Sequence, residues 1–302
     1  MEPPKSYIIF QCYGNESVFL ECTFALLSLS RLYRPEELSN TEIWIYTDNA
    51  GWFTSFKNCT LPLHYRLVDK ELIQKWRGTI DFVHRVKIEV LLDFTKDRTG
   101  NFLYCDTDVI FTHKMDRMCQ GVTANNVYMH MMEGRVSDNG NVLLKKLNNY
   151  LHTAKLPPVN GRQLYDFNMW NAGVLAFNNS HRHLLTEVLE FTDREYPKFP
   201  KHIIEQFAFS IMFQSGHEVK AALPCLLHYW NFKEVRGVFA SFLHHFKDAD
   251  WDTLTRHSGM VQVYDLLLEK TRFLYNRSIK DKLLGKQWKP GERDWEILVA
   301  GS

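Results

Sequence analysis

No stretch of the 302-residue chain approaches the ~18 consecutive apolar residues of a membrane-crossing helix, so none is expected. The opening segment, MEPPKSYIIFQCYGNE, carries too short an apolar run for a secretory signal, and a cytoplasmic location is expected. The six cysteines (Cys12, Cys22, Cys59, Cys105, Cys119, Cys225) have no CxxC spacing, which argues against a zinc ribbon or a disulfide framework and reads as reduced thiols. Without a secretory signal, the sequons at Asn15, Asn58, Asn178 and Asn276 read as chance matches. A net charge of +1 gives no overall bias toward nucleic acid or membrane. No internal repeat or low-complexity segment breaks the chain.

What is present is ordinary globular composition: 45% hydrophobic and 24% charged, with aromatics at 14%, enough for one large domain or two small ones. SYIIFQCYG reads as a first strand ending in a glycine turn. Residues 16–32 follow with apolar positions at three- and four-residue steps, a helix. EIWIYTDN and LPLHYRLVD read as strands, residues 79–94 as a helix, and FLYC as another strand. WNAGVLAFN is an apolar strand, SHRHLLTEVLEFTDREY and KHIIEQFAFSIMF are helices, ALPCLLHYWNF is strand then loop, and a long amphipathic helix starts near Gly259. Strand–helix–strand alternation predicts an α/β sheet with parallel strands, whose ligands lie at the carboxyl ends of the strands.

Asp106 and Asp108 fall at such an end, in FLYCDTDVIF. Two carboxylates one residue apart admit three readings. One is a turn or helix cap. Another is a site for a hard cation, with both carboxylates on one side if strand geometry persists. The third is the nucleophile motif of a haloacid-dehalogenase-type phosphatase, for which Ile110 and the motif's late position are poor matches. Arg85 and Lys87, in the preceding helix, could bring positive charge near a phosphate.

The ordered set RVK, FLYCDTDVIF, WNAGVLAFN, EQ and HYWNFK resembles family 8-like glycosyltransferases of the GT-A fold, which include bacterial lipopolysaccharide galactosyltransferases and glycogenin. The likeness runs over roughly residues 6 to 235. It implies a Rossmann-like, mixed but mainly parallel sheet flanked by helices. It implies a catalytic unit at 1–240, with a nucleotide-sugar half (1–113) and an acceptor half (114–240), and a helical, basic C-terminal extension at 241–302. The implied activity is that of a hexosyltransferase. It moves a sugar from a nucleotide sugar, UDP-linked, to a glycan or glycolipid hydroxyl, with retention, as in polysaccharide or lipopolysaccharide biosynthesis.

By that resemblance Asp106, Asp108 and His228 hold a divalent cation, Mn²⁺ or Mg²⁺; a histidine beside two carboxylates favours Mn²⁺. Arg85 falls at the family arginine that contacts the donor diphosphate and sugar, and Lys87 at the basic residue two along, in the donor-binding set without an assigned contact. Asn171, Ala172 and Gly173 lie under the donor sugar, the glycine permitting close approach. Gln11, Tyr13 and Asp48 lie at the ends of the first two strands, where base and ribose belong. Glu205-Gln206 stands where the family has Asp-Gln, as base or oxocarbenium stabiliser; on a helix only one of two neighbours is expected to point squarely into the site. Lys233 is a phosphate candidate one position early, and Asn231 replaces the usual glycine. His130, Glu133 and Asp166, between the two motifs, are candidate acceptor contacts.

Two other classes stay open: a non-catalytic nucleotide-sugar or glycan-binding protein on the same scaffold, and a sugar nucleotidyltransferase, whose glycine-rich signature QCYGNES lacks. Residues 270–289 hold seven basic residues and one acidic, interleaved with Phe273, Tyr275 and Trp288, a composition suited to an anionic membrane surface.

Overall fold

A computed structural model describes residues 4–300. Its strands are β1 (Ser6–Gln11), β2 (Thr41–Thr47), β3 (Leu63–Leu67), β4 (Asn101–Cys105), β5 (Val109–Phe111), β6 (Asn126–Met129), β7 (Met132–Arg135), β8 (Asn168–Trp170), β9 (Val174–Asn178), β10 (Glu218–Ala221) and β11 (Leu226–His228). Seven form one sheet in the order β10-β6-β9-β4-β1-β2-β3, and two small pairs, β11-β5 and β7-β8, stand apart from it. The pairs β1-β2, β2-β3, β1-β4 and β6-β10 are parallel. β9 runs antiparallel between β4 and β6. The sheet is therefore mixed and mainly parallel, with helices on both faces.

Both faces being covered explains why the central strands read as unbroken apolar runs rather than alternating ones. All five residues of β4 are buried. Alternation survives in which core each residue joins. Ile8, Phe10, Leu103 and Cys105 enter one cluster with the helix Glu16–Leu32, while Tyr7, Ile9, Phe102 and Tyr104 enter the other with the helices Arg85–Thr95, Arg182–Glu195 and Ile203–Gln214. The C-terminal part joins the first cluster through Trp251, Leu254, Leu266, Trp288 and Trp295, so residues beyond 240 pack on the same core as β1.

Three local expectations change. The helix expected from residue 79 begins at Arg85: Gly78 (φ +67°) and Asp81 (φ +49°) are left-handed, which no helix accommodates. The helix expected near Gly259 is Val263–Asn276. The basic segment 270–289 is not one amphipathic helix. It breaks after Asn276 and resumes as the short helix Ile279–Leu283, while Lys270 pairs with Glu234 and Trp288 is buried against Phe232.

Candidate metal centre and its two cavities

The chain leaves the sheet at Cys105, and residues 106–108 form a bend before β5. Strand geometry thus does not persist through the two aspartates. They converge for another reason: β5 pairs antiparallel with β11, in a register that sets Val109 opposite His228. The Tyr229 N–H donates to the Asp108 carbonyl at 3.0 Å, and the Asp106 N–H donates to the Gly173 carbonyl at 2.8 Å. The result is one cluster in which ligand atoms of Asp106, Asp108 and His228 all lie within 4.8 Å of each other. His228 Nε2 is 3.1 Å from Asp108 Oδ1 and 3.8 Å from Asp106 Oδ2.

The other side of the ring fixes its tautomer. His228 Nδ1 is 2.8 Å from Asn171 Oδ1, which also accepts the Gly173 N–H at 3.0 Å. The Asn171 amide in turn donates to Glu133 Oε1 at 2.9 Å, so its oxygen must face the imidazole. Nδ1 therefore carries the proton, and the Nε2 lone pair faces two carboxylates unless a second proton or a cation sits there. Two hard carboxylate oxygens with one oriented imidazole suit a divalent ion such as Mn²⁺ or Mg²⁺. Burial acts to raise the Asp108 pKa, but the hydrogen bond and charge of His228 and the nearby Lys233 outweigh it and hold the carboxyl well below its usual range.

Two cavities meet at this cluster. A cavity of about 900 Å³ has His84, Lys87, Glu133, Glu205, Gln206 and Trp230 among its walls. A smaller one, about 220 Å³, has Gln11, Glu21, Tyr104, Thr107 and Arg236 among its walls. Asp106, Asp108, Lys87, Lys233 and His84 line both, so the acidic pair, two lysines and a histidine form the partition.

Lys87 is buried and spans that partition, donating to the Ala172 carbonyl at 3.0 Å and lying 3.3 Å from Asp106 and 3.4 Å from Glu205. Tyr104 donates to Asp106 Oδ1 at 2.8 Å. Glu205 is only 3% exposed. Burial pushes its carboxyl up to about 7, with Asp106 adding and Lys87 opposing. Gln206 donates to Glu133 Oε2 at 2.8 Å. Both members of the Glu205-Gln206 pair line the large cavity, contrary to the single inward residue expected. The first turns of their helix form a wall of the cavity, so directions about 100° apart both reach polar groups of the site.

Several expected contacts lie elsewhere. Arg85 does not line either cavity. Its guanidinium is held by Asp193 (2.7 and 3.0 Å), Glu89 (2.6 Å) and the Trp76 carbonyl (2.7 Å), an ion-pair network tying its helix to Arg182–Glu195. His130 is 1% exposed and accepts the His228 N–H at 3.1 Å, supporting β11 from behind. Burial pushes the His130 pKa down to about 3, and His228 adds to the effect. Asp166 pairs with Arg135 outside the cavity. Gly173 is required by the imidazole: a Cβ there would collide with the His228 ring. Gln11 donates to the Tyr13 hydroxyl at 2.9 Å, and its own Oε1 is buried without a partner. Asp48 accepts the Gly14 N–H at 3.1 Å beside them.

Sequence reasoning passed over Glu21, Arg236, Tyr104 and Trp230. Glu21 had a visible signal, a lone carboxylate inside the apolar run VFLECTFALLSL, and it is 1% exposed. Trp230 is 42% exposed at the cavity, beside His228 at a ring separation of 5.3 Å.

No known sequence family and no curated protein matches the chain. Solved structures with a similar folding pattern include the glycosyltransferase GlyE of Streptococcus pneumoniae TIGR4 in its apo form, at 16% identity and a TM-score of 0.49 over 84% of this chain. They also include the galactosyltransferase LgtC with donor and acceptor sugar analogs, at 14% identity, a TM-score of 0.46, and coverage of 70% of this chain and 72% of that one. A third is mouse xyloside xylosyltransferase 1, at 10% identity, a TM-score of 0.46, and coverage of 72% of this chain and 84% of that one. The chain spans 62% of the length of the GlyE chain.

Proposed function

We propose that the chain is a metal-dependent glycosyltransferase of the GT-A, family 8-like kind, transferring a sugar from a UDP-linked donor to a hydroxyl of a glycan or glycolipid, with retention of configuration. One observation carries this reading: Asp106, Asp108 and His228 converge on the partition between two cavities, one with an orphaned polar acceptor and the other with a buried carboxyl near neutrality. A divalent cation, Mn²⁺ by the imidazole's preference, would offset the charge that builds on a leaving diphosphate.

The chain's own residues divide the remaining work. Gln11, Tyr13 and Asp48 bind base and ribose at the ends of β1 and β2, the unpartnered Gln11 oxygen accepting from the base. Lys87 and Lys233 supply positive charge to the phosphates. Asn171 and Gly173, on the wall of the large cavity, lie beneath the donor sugar and also position His228, while Ala172 holds Lys87 through its carbonyl. For retention, the acceptor hydroxyl attacks from the side the diphosphate leaves and gives its proton to the departing phosphate oxygen, while Glu205, when ionised, stabilises the oxocarbenium-like centre; as base for attack from the opposite face, a carboxyl titrating near 7 would give inversion. Gln206, held by Glu133, faces the reacting sugar.

No described helix is long and apolar enough to cross a membrane. The reading places the enzyme in the cytoplasm, with its basic C-terminal surface against the inner face of the membrane.

The test is release of nucleoside diphosphate in the presence of Mn²⁺, screened over donor sugars, with Asp106→Ala as comparator. Release that requires both Mn²⁺ and Asp106 is expected. A protein that neither binds nor hydrolyses any donor, and whose Asp106→Ala variant is unchanged in every property, is not a glycosyltransferase.

A further inference from the structure

The two oxygens of Asp108 have different partners. Oδ1 faces His228, while Oδ2 accepts a short hydrogen bond from Lys233 Nζ. The same ammonium lies 3.6 Å from Glu21 Oε1. Glu21 belongs to the helix Glu16–Leu32, and its side chain is 2% exposed. It is held in place by Arg236, whose Nε and NH2 donate to its two oxygens at 2.9 Å each. Lys233 is 44% exposed, the most exposed member of a group whose other members are held by burial or by paired bonds.

Charge makes this arrangement consequential. Four carboxylates (Asp106, Asp108, Glu21, Glu205) face three cationic side chains (Lys87, Lys233, Arg236). With those groups ionised and His228 neutral the cluster is one charge short of neutral, and a divalent ion would more than neutralise it. Such an ion at Asp108 competes with the ammonium already there.

We infer that Lys233 is a resident counter-ion that occupies Asp108 until a divalent cation replaces it, and that Glu21, clamped by Arg236, receives it afterwards. Released from Asp108, Lys233 stays on the wall of the smaller cavity beside Arg236, where two cations suit a diphosphate. Glu21 and Arg236 are positioning residues in this scheme: they act through Lys233. The inference rests on Asp106, Asp108 and His228 being cation ligands.

The experiment measures Mn²⁺ binding to the full chain, without nucleotide or acceptor, by titration calorimetry. The proteins are the wild type, Lys233→Met, Glu21→Gln and the double variant. Removing the competitor in Lys233→Met is expected to tighten Mn²⁺ by about tenfold, the size of one desolvated charge contact. Lys233→Gln, a polar replacement at the same half-exposed position, should tighten it likewise. Glu21→Gln should loosen Mn²⁺ when Lys233 is present and have no effect when it is absent, a non-additivity that independent charges would not show. UDP binding at saturating Mn²⁺ should move the opposite way, weaker in Lys233→Met.

If Lys233→Met and Lys233→Gln bind Mn²⁺ no tighter than the wild type, or if the two substitutions simply add, Lys233 is a fixed partner of Asp108 and the exchange is wrong while the metal site stands. If none of the proteins binds Mn²⁺, metal site and exchange fall together. UDP failing to bind a Mn²⁺-loaded wild type counts against the nucleotide reading alone.

Discussion

His228 reaches Asp108 across 120 residues of chain, Nε2 to Oδ1 at 3.1 Å, and it does so with its other nitrogen committed to Asn171. That second contact gives the first its chemistry. A ring whose Nδ1–H is committed to Asn171 can offer only Nε2 to a metal ion, in place of the proton that Nε2 shares with Asp108. Asn171, expected beneath the donor sugar, lines the large cavity and also holds the His228 ring.

Asn171→Ala should therefore weaken Mn²⁺ binding by about 10- to 100-fold, the usual cost of losing a ligand's orienting partner. The fold should survive, because the substitution leaves the β4-β9 ladder intact. Calorimetric Mn²⁺ titration alongside thermal unfolding checks this. Wild-type Mn²⁺ affinity in a folded Asn171→Ala protein would show that the hydrogen bond does not set the tautomer.

Gly173 is explained by the same ring. A methyl group at this position meets the imidazole, and the backbone carbonyl of Gly173 is tied to the Asp106 N–H, so neither side can yield freely. Gly173→Ala should cost about 1–3 kcal/mol of stability, the scale of overpacking in a tight interior. Adding His228→Ala should return much of that loss by vacating the space. Thermal unfolding of the single and double variants decides it; two equally destabilised proteins would mean that the clash lies elsewhere.

Much of the sheet was legible because covered parallel strands announce themselves as apolar runs between helical periods. The acidic pair was legible because carboxylates do not belong at the end of such a run without a partner. Side-chain direction was not. Arg85 and Lys87 are two residues apart on one helix, about 200° around its axis, so Lys87 faces the aspartates while Arg85 faces Asp193. A motif names both positions but does not say which neighbour each will find. His130 was misjudged similarly. Its place between motifs suggested an acceptor contact, whereas the β11 backbone needs an acceptor for the His228 N–H, and His130 supplies it. Trp230 and Arg236 depend on how the chain after β11 folds back over β5 and the helix Glu16–Leu32, a long-range arrangement that no local pattern encodes.

Glu205 carries a pH signature. Its folded pKa of about 7 exceeds the ordinary 4.5, so the folded protein holds this proton more tightly than the unfolded chain. The resulting stability is full below about pH 4.5 and is lost as pH rises through about 7. Glu205→Gln has no such titration. The stability of the wild type relative to this variant should fall by up to about 3 kcal/mol between pH 4.5 and about 8, measured by denaturant unfolding in the absence of metal. A flat difference would show that the carboxyl stays ionised throughout, paired with Lys87. In the transfer assay the same variant should lose about 10²-fold or more in rate if Glu205, when ionised, stabilises the oxocarbenium-like centre.

The C-terminal surface makes the last prediction. Tyr275 (88% exposed), Ile279 (79%), Leu283 (83%) and Leu284 (65%) are large apolar side chains left in solvent by the short helix Ile279–Leu283 and its flanks. Arg272, Lys280, Lys282, Lys286 and Lys289 are exposed among them. Trp288, Phe273 and Lys270 anchor this segment inward, so it is held on the body of the protein rather than hanging free. Apolar side chains ringed by cations fit an anionic lipid interface, each cation near the surface adding about 1 kcal/mol at low salt. The protein should sediment with phosphatidylserine-containing vesicles, release at about 0.5 M salt as charges are screened, and ignore neutral phosphatidylcholine vesicles. Leu283→Ser with Leu284→Ser should weaken the residual, salt-resistant part, and Lys280→Glu with Lys282→Glu the salt-sensitive part. Equal recovery in the supernatant with and without anionic vesicles would remove the membrane from the account of this surface and leave the catalytic reading untouched, because no residue of the segment lines either cavity.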